Sequence, residues 1–131
     1  MFDIEVCEPR QIVLVRFHGH LGEEDFTALD RLAASARGDG RAFDCIYDMT
    51  SVDSIGLAPE FAVKRGDVPQ AYKDHKRLYV VPNDDLKLLI RLYATYQANK
   101  GWQAPLIVRT LDEALAHLDA SLSEFRPVQL T

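Results

Sequence analysis

The sequence has few of the residues that mark several common protein classes. Cysteine occurs only at positions 7 and 45, which is too few for a disulfide framework, so we expect two reduced thiols and a cytoplasmic location. There are 15 lysines and arginines against 20 acidic residues, and a net charge of −5 argues against nucleic-acid binding. No apolar run is long enough to cross a membrane, and Met1 is not followed by a signal-peptide pattern. We therefore expect neither a transmembrane segment nor a signal peptide.

What the sequence does contain is the composition of an ordinary globular domain. Hydrophobic residues make up 47% and charged residues 27%, a mixture that excludes disorder. A chain of 131 residues can bury one core of its own and has no room for a second domain. The 7 glycines and 6 prolines form no linker, and no internal repeat occurs. We expect one domain at 1–120 and a frayed C-terminal tail at 121–131.

Hydrophobic periodicity predicts the order of secondary structure. Strands with alternating or β-branched residues are predicted at 2–6, 11–17, 43–49, 78–82 and 106–108. Apolar residues three and four apart predict a helix after each of the last four strands. Pro59 suits a first helical turn, Asn83 and Thr110 suit N-caps, and Gly101 suits a helix end, whereas glycines at 38 and 40 end the first helix. The order β-β-α-β-α-β-α-β-α predicts an α/β fold, a mixed sheet of about five strands with four helices.

Several short motifs follow one another along the chain in the order seen in one known domain family. They are Gly19-His20-Leu21 before the first helix, Tyr47-Asp48 at the end of the central strand, Ile90-Arg91-Leu92-Tyr93 in the third helix and Val108-Arg109-Thr110-Leu111-Asp112-Glu113 near the end. In this order they resemble the STAS-like or SpoIIAA-like domains (sulfate transporter and anti-sigma antagonist), most closely the small stand-alone branch grouped with SEC14-type domains. The resemblance covers residues 2–120. It implies a SpoIIAA-like fold and a non-enzymatic binding or regulatory role.

A serine in the middle of the chain carries a further implication of this resemblance. Anti-sigma antagonists have an Asp-Ser-Ser-Gly-Leu loop after the central strand, and a partner kinase phosphorylates its first serine. Residues 53–57, Asp-Ser-Ile-Gly-Leu, are similar, and Ser54 is the matching position. We place Ser54 in a loop over 50–56 at the start of the second helix, where backbone N–H groups would bind a phosphate. The alternative is that Asp53 or Ser54 only caps that helix.

Carboxylates and imidazoles near strand ends are further candidates. Asp48 ends the central strand, where ligands of open α/β sheets bind, although turn chemistry is the alternative. His18 and His20 are two residues apart at a strand end and so point to one side, but no third ligand stands at a defined spacing, so we predict no metal and no other cofactor. Catalysis would require Asp48 to meet one of these histidines. Cys45 lies within a strand and is predicted to be a core residue.

The helix predicted at 86–100 has more apolar surface than contact with a sheet requires. Leu88 and Leu92 form an additional flank, and we expect Trp102 close by. This flank predicts a homodimer interface or the wall of a pocket for an apolar, lipid-like small molecule. Ordinary core packing is the alternative.

Basic residues offer two candidate sites for an anion. Arg91 lies within the same helix, and its alternative role is pairing with Asp84 or Asp85. A local basic cluster could bind a lipid head group or a phosphorylated partner, or it could be a solvated face. The cluster consists of Lys64, Arg65, Lys73, Lys76 and Arg77.

The sequence therefore predicts a non-enzymatic binding or regulatory module that forms a homodimer. It would bind an apolar small molecule or a regulatory protein partner. The alternatives are a protein of the anti-sigma-antagonist type that is switched at Ser54 and an enzyme of unrecognised class. The candidate ligand or partner surface consists of Asp48, Ser54, Leu88, Arg91, Leu92 and Trp102.

Overall fold

A mixed six-stranded sheet carries the helices in the predicted order. The computed structural model describes residues 1–36, 43–69 and 75–128. The strands are β1 (Phe2–Cys7), β2 (Ile12–Gly22), β3 (Asp44–Gly56), β4 (Arg77–Val80), β5 (Leu106–Val108) and β6 (Arg126–Val128). The helices are α1 (Glu23–Ala36), α2 (Pro59–Gly66), α3 (Asp84–Asn99) and α4 (Leu111–His117), and a 3₁₀ turn spans Leu122–Glu124.

The strand order in the sheet is β5-β4-β3-β2-β1-β6. Strands β2 to β5 are parallel, and β1 is antiparallel to both of its neighbours. The β1–β2 hairpin followed by helical connections between parallel strands produces this mixture. The predicted α/β class with a mixed sheet and four helices is confirmed.

Alternating strand residues divide the core between the two faces of the sheet. On one face Tyr79 and Phe17 pack beneath α1, α2 and α3. On the other face Ile46 and Leu78 pack beneath α4 and the C-terminal segment. Because both faces are covered, the central parallel strands are apolar on both sides, as the sequence indicates. No helix in the described ranges is both long and apolar enough to span a bilayer.

The predicted helix boundaries follow local capping chemistry. The side chain of Asn83 accepts hydrogen bonds from two backbone N–H groups of α3, and Thr110 accepts one from Glu113. Gly101 has φ +79° directly after the C-cap of α3, a conformation that favours glycine. These three predictions are confirmed. The glycines at 38 and 40 lie outside the described residues.

The ends of two elements differ from the sequence prediction. β3 continues to Gly56, through the residues predicted as a loop, because it pairs with β2 over its whole length. The segment after 121, predicted as a frayed tail, pairs with and packs against the rest of the domain as far as Val128. Phe125 is only 7% exposed, and β6 pairs with β1.

Candidate functional site

The carboxyl-terminal ends of β2 and β3 extend beyond the rest of the sheet. β4 pairs with β3 only as far as Asp48, and β1 pairs with β2 only as far as Phe17. Residues 18–22 of β2 and 51–56 of β3 therefore pair, among the described strands, only with each other. This two-stranded segment is named the β2–β3 ribbon. Its residues Leu21, Val52 and Ile55 pack in or against the core, and it carries Ser54 at an exposed position.

Two local irregularities shape the ribbon. The register between its strands shifts before His18 and again before His20. Gly19 lies at the second shift with φ +71°, a region of backbone space that favours glycine. On β3 the Asp48 carboxylate accepts hydrogen bonds from the backbone N–H and the hydroxyl of Thr50, at 3.0 and 2.8 Å. These bonds stabilise the chain where regular pairing is interrupted.

Ser54 is exposed, and a histidine of the neighbouring strand holds its hydroxyl. Ser54 and His20 are register partners, and Ser54 Oγ lies 2.8 Å from His20 Nδ1 in a hydrogen bond. A Cβ atom at Gly56 would lie 2.5 Å from Nε2 of the same ring. The imidazole therefore lies directly against the backbone of Gly56. The absence of a side chain at position 56 lets His20 stay beside Ser54.

Acidic side chains from the start of α1 lie at the end of the ribbon. Asp25, which is 6% exposed, accepts a hydrogen bond from the Gly22 N–H at 3.0 Å and lies 2.8 Å from the amino group of Met1. Burial raises the pKa of Asp25, but this hydrogen bond, the amino group and the charge of His20 outweigh it, so the pKa is lowered. The Glu24 carboxylate lies beside Gly22, where a Cβ would come within 2.5 Å of its oxygens.

The position of Ser54 differs from both predictions that placed it at the start of α2. That helix begins at Pro59, the predicted first-turn proline, and its N-cap is Ala58, with no side-chain hydrogen bond. Neither Asp53 nor Ser54 caps the helix, because strand pairing continues to Gly56. A phosphate on Ser54 would depend on the side chains of the ribbon rather than on a helix N-terminus.

Asp48 stabilises the chain locally. It is 5% exposed, and its Oδ1 binds Thr50, two residues ahead. This is the turn chemistry that the sequence offers as the alternative to ligand binding. The histidines of β2 contact Asp3 and Ser54 instead of Asp48. The pairing of Asp48 with histidine that catalysis would require is therefore absent from the described residues.

The residues predicted on and after α3 do not form one surface. Leu88 is 65% exposed and Arg91 is exposed, whereas Leu92 is partly buried against the core. Within the described part of the chain Arg91 forms no ion pair, so the predicted pairing with an acidic residue of the first turn does not occur. Trp102 follows the C-terminal end of α3 and is half-buried. Leu88 and Asn99, the last residue of α3, are about 16 Å apart along the helix axis, and Trp102 lies beyond that end.

A small apolar cavity lies between the sheet and helices α1, α2 and α3. Its volume is about 20 Å³, the size needed for one water molecule. A pocket for a drug-sized ligand typically has about 300 Å³ or more. Leu88 and Leu92 do not line this cavity. Its walls include Phe26, Phe61, Tyr79, Leu89 and Tyr93.

The predicted basic cluster does not form a surface patch, because two of its arginines point inward. Arg65 of α2 donates hydrogen bonds to both carboxylate oxygens of Asp30 on α1, at 2.9 and 3.0 Å. Its guanidinium also lies 4.8 Å from the centre of the Phe26 ring. Burial lowers the pKa of Arg65, but the hydrogen bonds to Asp30 outweigh it, so the pKa is raised. Arg65 therefore joins α1 to α2.

The second inward arginine joins β4 to α3. Arg77 is 7% exposed and donates to the Tyr93 hydroxyl, the Gln97 side chain and the Gln103 carbonyl. Buried charged groups require such hydrogen bonds. Lys73 of the same predicted cluster lies outside the described residues. The remaining lysines, Lys64 and Lys76, are exposed, and Lys76 lines the same surface pocket as Arg77.

The thiols and potential metal ligands have no catalytic arrangement in the described ranges. Cys7 and Cys45 are both free. Burial raises the pKa of Cys45 to about 11, so its thiol is protonated at neutral pH and is not a nucleophile. Among the described residues, no three His, Cys, Asp or Glu side chains are grouped to hold a metal ion.

The sequence analysis missed the contact between His20 and Ser54, because it placed Ser54 in a loop. The available signal was a shared spacing, His20-x-Gly22 and Ser54-x-Gly56, on two strands joined by a helix. Parallel strands in register bring such pairs together. The result is an exposed hydroxyl in hydrogen-bond contact with an imidazole. Comparison with known proteins finds no protein-family model that matches the chain and no curated protein that matches it.

Proposed function

We propose that this protein is a non-enzymatic regulatory module that binds a partner protein through the β2–β3 ribbon, with Ser54 as a phosphoacceptor. The observation that carries the proposal is the exposed Ser54 hydroxyl, 2.8 Å from His20 on the neighbouring strand of the ribbon. A projecting, exposed side chain is accessible to a kinase and to a partner surface. A phosphate there adds between one and two negative charges at neutral pH, which changes how a partner binds.

The modification is a phosphoryl transfer, and a nucleoside triphosphate is the phosphoryl donor. A partner kinase transfers the terminal phosphoryl group, so that a bond forms between Ser54 Oγ and phosphorus. The bond from phosphorus to the leaving nucleoside diphosphate breaks. The hydroxyl proton leaves Oγ, and His20 Nδ1 at 2.8 Å is an adjacent acceptor. The proposal also includes a cytoplasmic location, because nucleoside triphosphates are available to a kinase there.

Two other observations concern the fold and the choice between a partner protein and an apolar small molecule as the ligand. We also propose that the domain is SpoIIAA-like, and the order of its strands and helices supports this. Two larger pockets, of about 300 and 630 Å³, are lined in part by charged side chains such as Lys76 and Arg126, which do not suit an apolar ligand. An apolar small molecule between the sheet and the helices would have to enlarge the 20 Å³ cavity there. Because that requires the helices to separate, we favour the partner-protein version.

We expect protein purified from its own host to carry one phosphate on Ser54 under at least one growth condition. Intact-mass and peptide mass spectrometry measure this. Ser54→Ala should abolish the phosphate, whereas Ser51→Ala, at an exposed serine of the same ribbon, should keep it. Absence of phosphate in all growth phases, or its attachment elsewhere, contradicts the proposal. A bound noncovalent mass would instead favour the small-molecule version.

A further inference from the structure

We infer that His20 is a positioning residue that binds the phosphate carried by Ser54. This inference rests on the proposed function and adds a pH response to it. The imidazole is already in place before modification, since Nδ1 lies 2.8 Å from Ser54 Oγ. Once Oγ is esterified it carries no proton, so the hydrogen bond persists only if the imidazole donates. A protonated imidazole then forms a charge-assisted bond to Oγ or to a phosphate oxygen.

The charges around the ribbon make this imidazole the suitable partner. Carboxylates of Glu24 and Asp25 lie at the end of the ribbon, and Asp25 interacts electrostatically with His20. The amino group of Met1 is bound to Asp25. The other histidine of the ribbon, His18, lies 3.3 Å from Asp3. A phosphate dianion in this acidic surrounding needs a cation, and His20 is the one already in contact with the acceptor oxygen.

Gly56 provides an independent way to test the contact. A Cβ at this position would lie 2.5 Å from His20 Nε2, so Gly56→Ala must move the imidazole. The atoms displaced belong to the end of a side chain, and the φ of Gly56 is not positive, so the strand itself can remain. Gly22 is the register partner of Gly56, and the atoms nearest to a Cβ there would be those of the Glu24 carboxyl group, at 2.5 to 2.8 Å. Gly22→Ala is therefore the comparison variant, because it displaces the Glu24 carboxylate and not the imidazole.

The test uses the full chain with phosphoserine installed genetically at position 54. The pH dependence of its ³¹P resonance is measured. A protonated imidazole beside the phosphate lowers the second pKa of the phosphate. We expect His20→Gln and Gly56→Ala each to raise that pKa by roughly half a unit or more, because both remove the cation. His18→Gln should leave the titration unchanged, and Gly22→Ala, which displaces the Glu24 carboxylate rather than the imidazole, should not raise the pKa.

The outcomes separate this inference from the proposed function. If neither His20→Gln nor Gly56→Ala changes the phosphate titration, the role of His20 is overturned. The installed phosphoserine makes that result independent of whether a kinase modifies the protein in its host. Conversely, absence of phosphate in the host contradicts the proposed function while leaving the measured contact intact. Circular dichroism of each variant verifies that the fold is retained.

Discussion

At the scale of the residue, Asp25 is a nearly buried carboxylate that stays charged. Its Oδ2 accepts the Gly22 N–H at 3.0 Å, and its Oδ1 lies 2.8 Å from an amino group. These contacts lower its pKa although burial acts in the opposite direction. Because the folded-state pKa lies below the unfolded value of about 3.9, its contribution to stability is fully present above that pH. The contribution is lost as the pH falls through the folded-state pKa.

Asp25→Asn tests this charge while keeping an acceptor for the Gly22 N–H. We expect the free energy of unfolding at pH 7 to fall by about 1 kcal/mol, because a charge-assisted hydrogen bond becomes a neutral one. Urea unfolding over a pH series measures the difference, which should shrink toward zero in acid. Glu23→Gln, at an exposed position of the same helical turn, should have little effect. A difference that stays constant with pH would be inconsistent with the lowered pKa.

At the scale of the element, α3 shows how far periodicity predicts burial. Leu86, Ile90 and Tyr93 face the core as their spacing indicates. Gln97 is also fully buried, and its Nε2 donates to the carbonyls of Gly66 and Val68 at 2.9 Å. Periodicity cannot identify such a residue, because its partners are the backbone carbonyls at the end of α2. The flank of Leu88 and Leu92 is only partly solvent-exposed.

The predicted homodimer is tested by comparing the two leucines of this flank. Leu88 is 65% exposed, so Leu88→Glu should dissociate the dimer without lowering the free energy of unfolding of the protomer. Leu92 packs against the core, so Leu92→Glu should dissociate the dimer and also destabilise the protomer by about 2 kcal/mol. Light scattering coupled to size exclusion gives the mass, and urea unfolding gives the stability. A monomeric unmutated protein would refute this prediction directly.

At the scale of the whole molecule, the C-terminal segment completes the sheet. β6 pairs with β1 at the far edge from β5, and Phe125 before it packs into the core on the α4 face. Arg10 in the β1–β2 connection lies 3.3 Å from Glu124. Residues separated by more than one hundred positions are therefore joined at this edge, and the segment belongs to the folded unit as far as Val128.

Phe125→Ala tests the contribution of this segment. Removing a nearly buried phenyl ring should lower the free energy of unfolding by about 3 kcal/mol, because contacts are lost and a cavity remains. Val128→Ala on β6 is the control, since Val128 is 41% exposed and should cost about 0.5 kcal/mol or less. Both are measured by urea unfolding. Equal, small effects would mean that the C-terminal segment is the frayed tail that the sequence predicts.

The structural features that could be predicted from the sequence are those that neighbouring residues determine. Strand alternation, the caps at Asn83 and Thr110 and the turn at Gly101 depend on residues within a few positions of one another. The order of the predicted strands and helices was sufficient to predict the α/β class with four helices, because each helix must cover a face of the sheet. The inward positions of Arg65 and Arg77 were not predictable in this way, since their partners Asp30 and Gln97 lie on other elements.

The sequence by itself therefore determined the fold class, the element order and the serine that the resemblance singles out. Only the tertiary structure decided that Ser54 lies on a strand and meets His20, which is 34 positions away in the chain. Pairing with β2 extends β3 through a segment whose local composition favours a loop. The physical reason is that hydrogen bonds between strands and burial depend on partners distant in sequence, which local propensity does not encode.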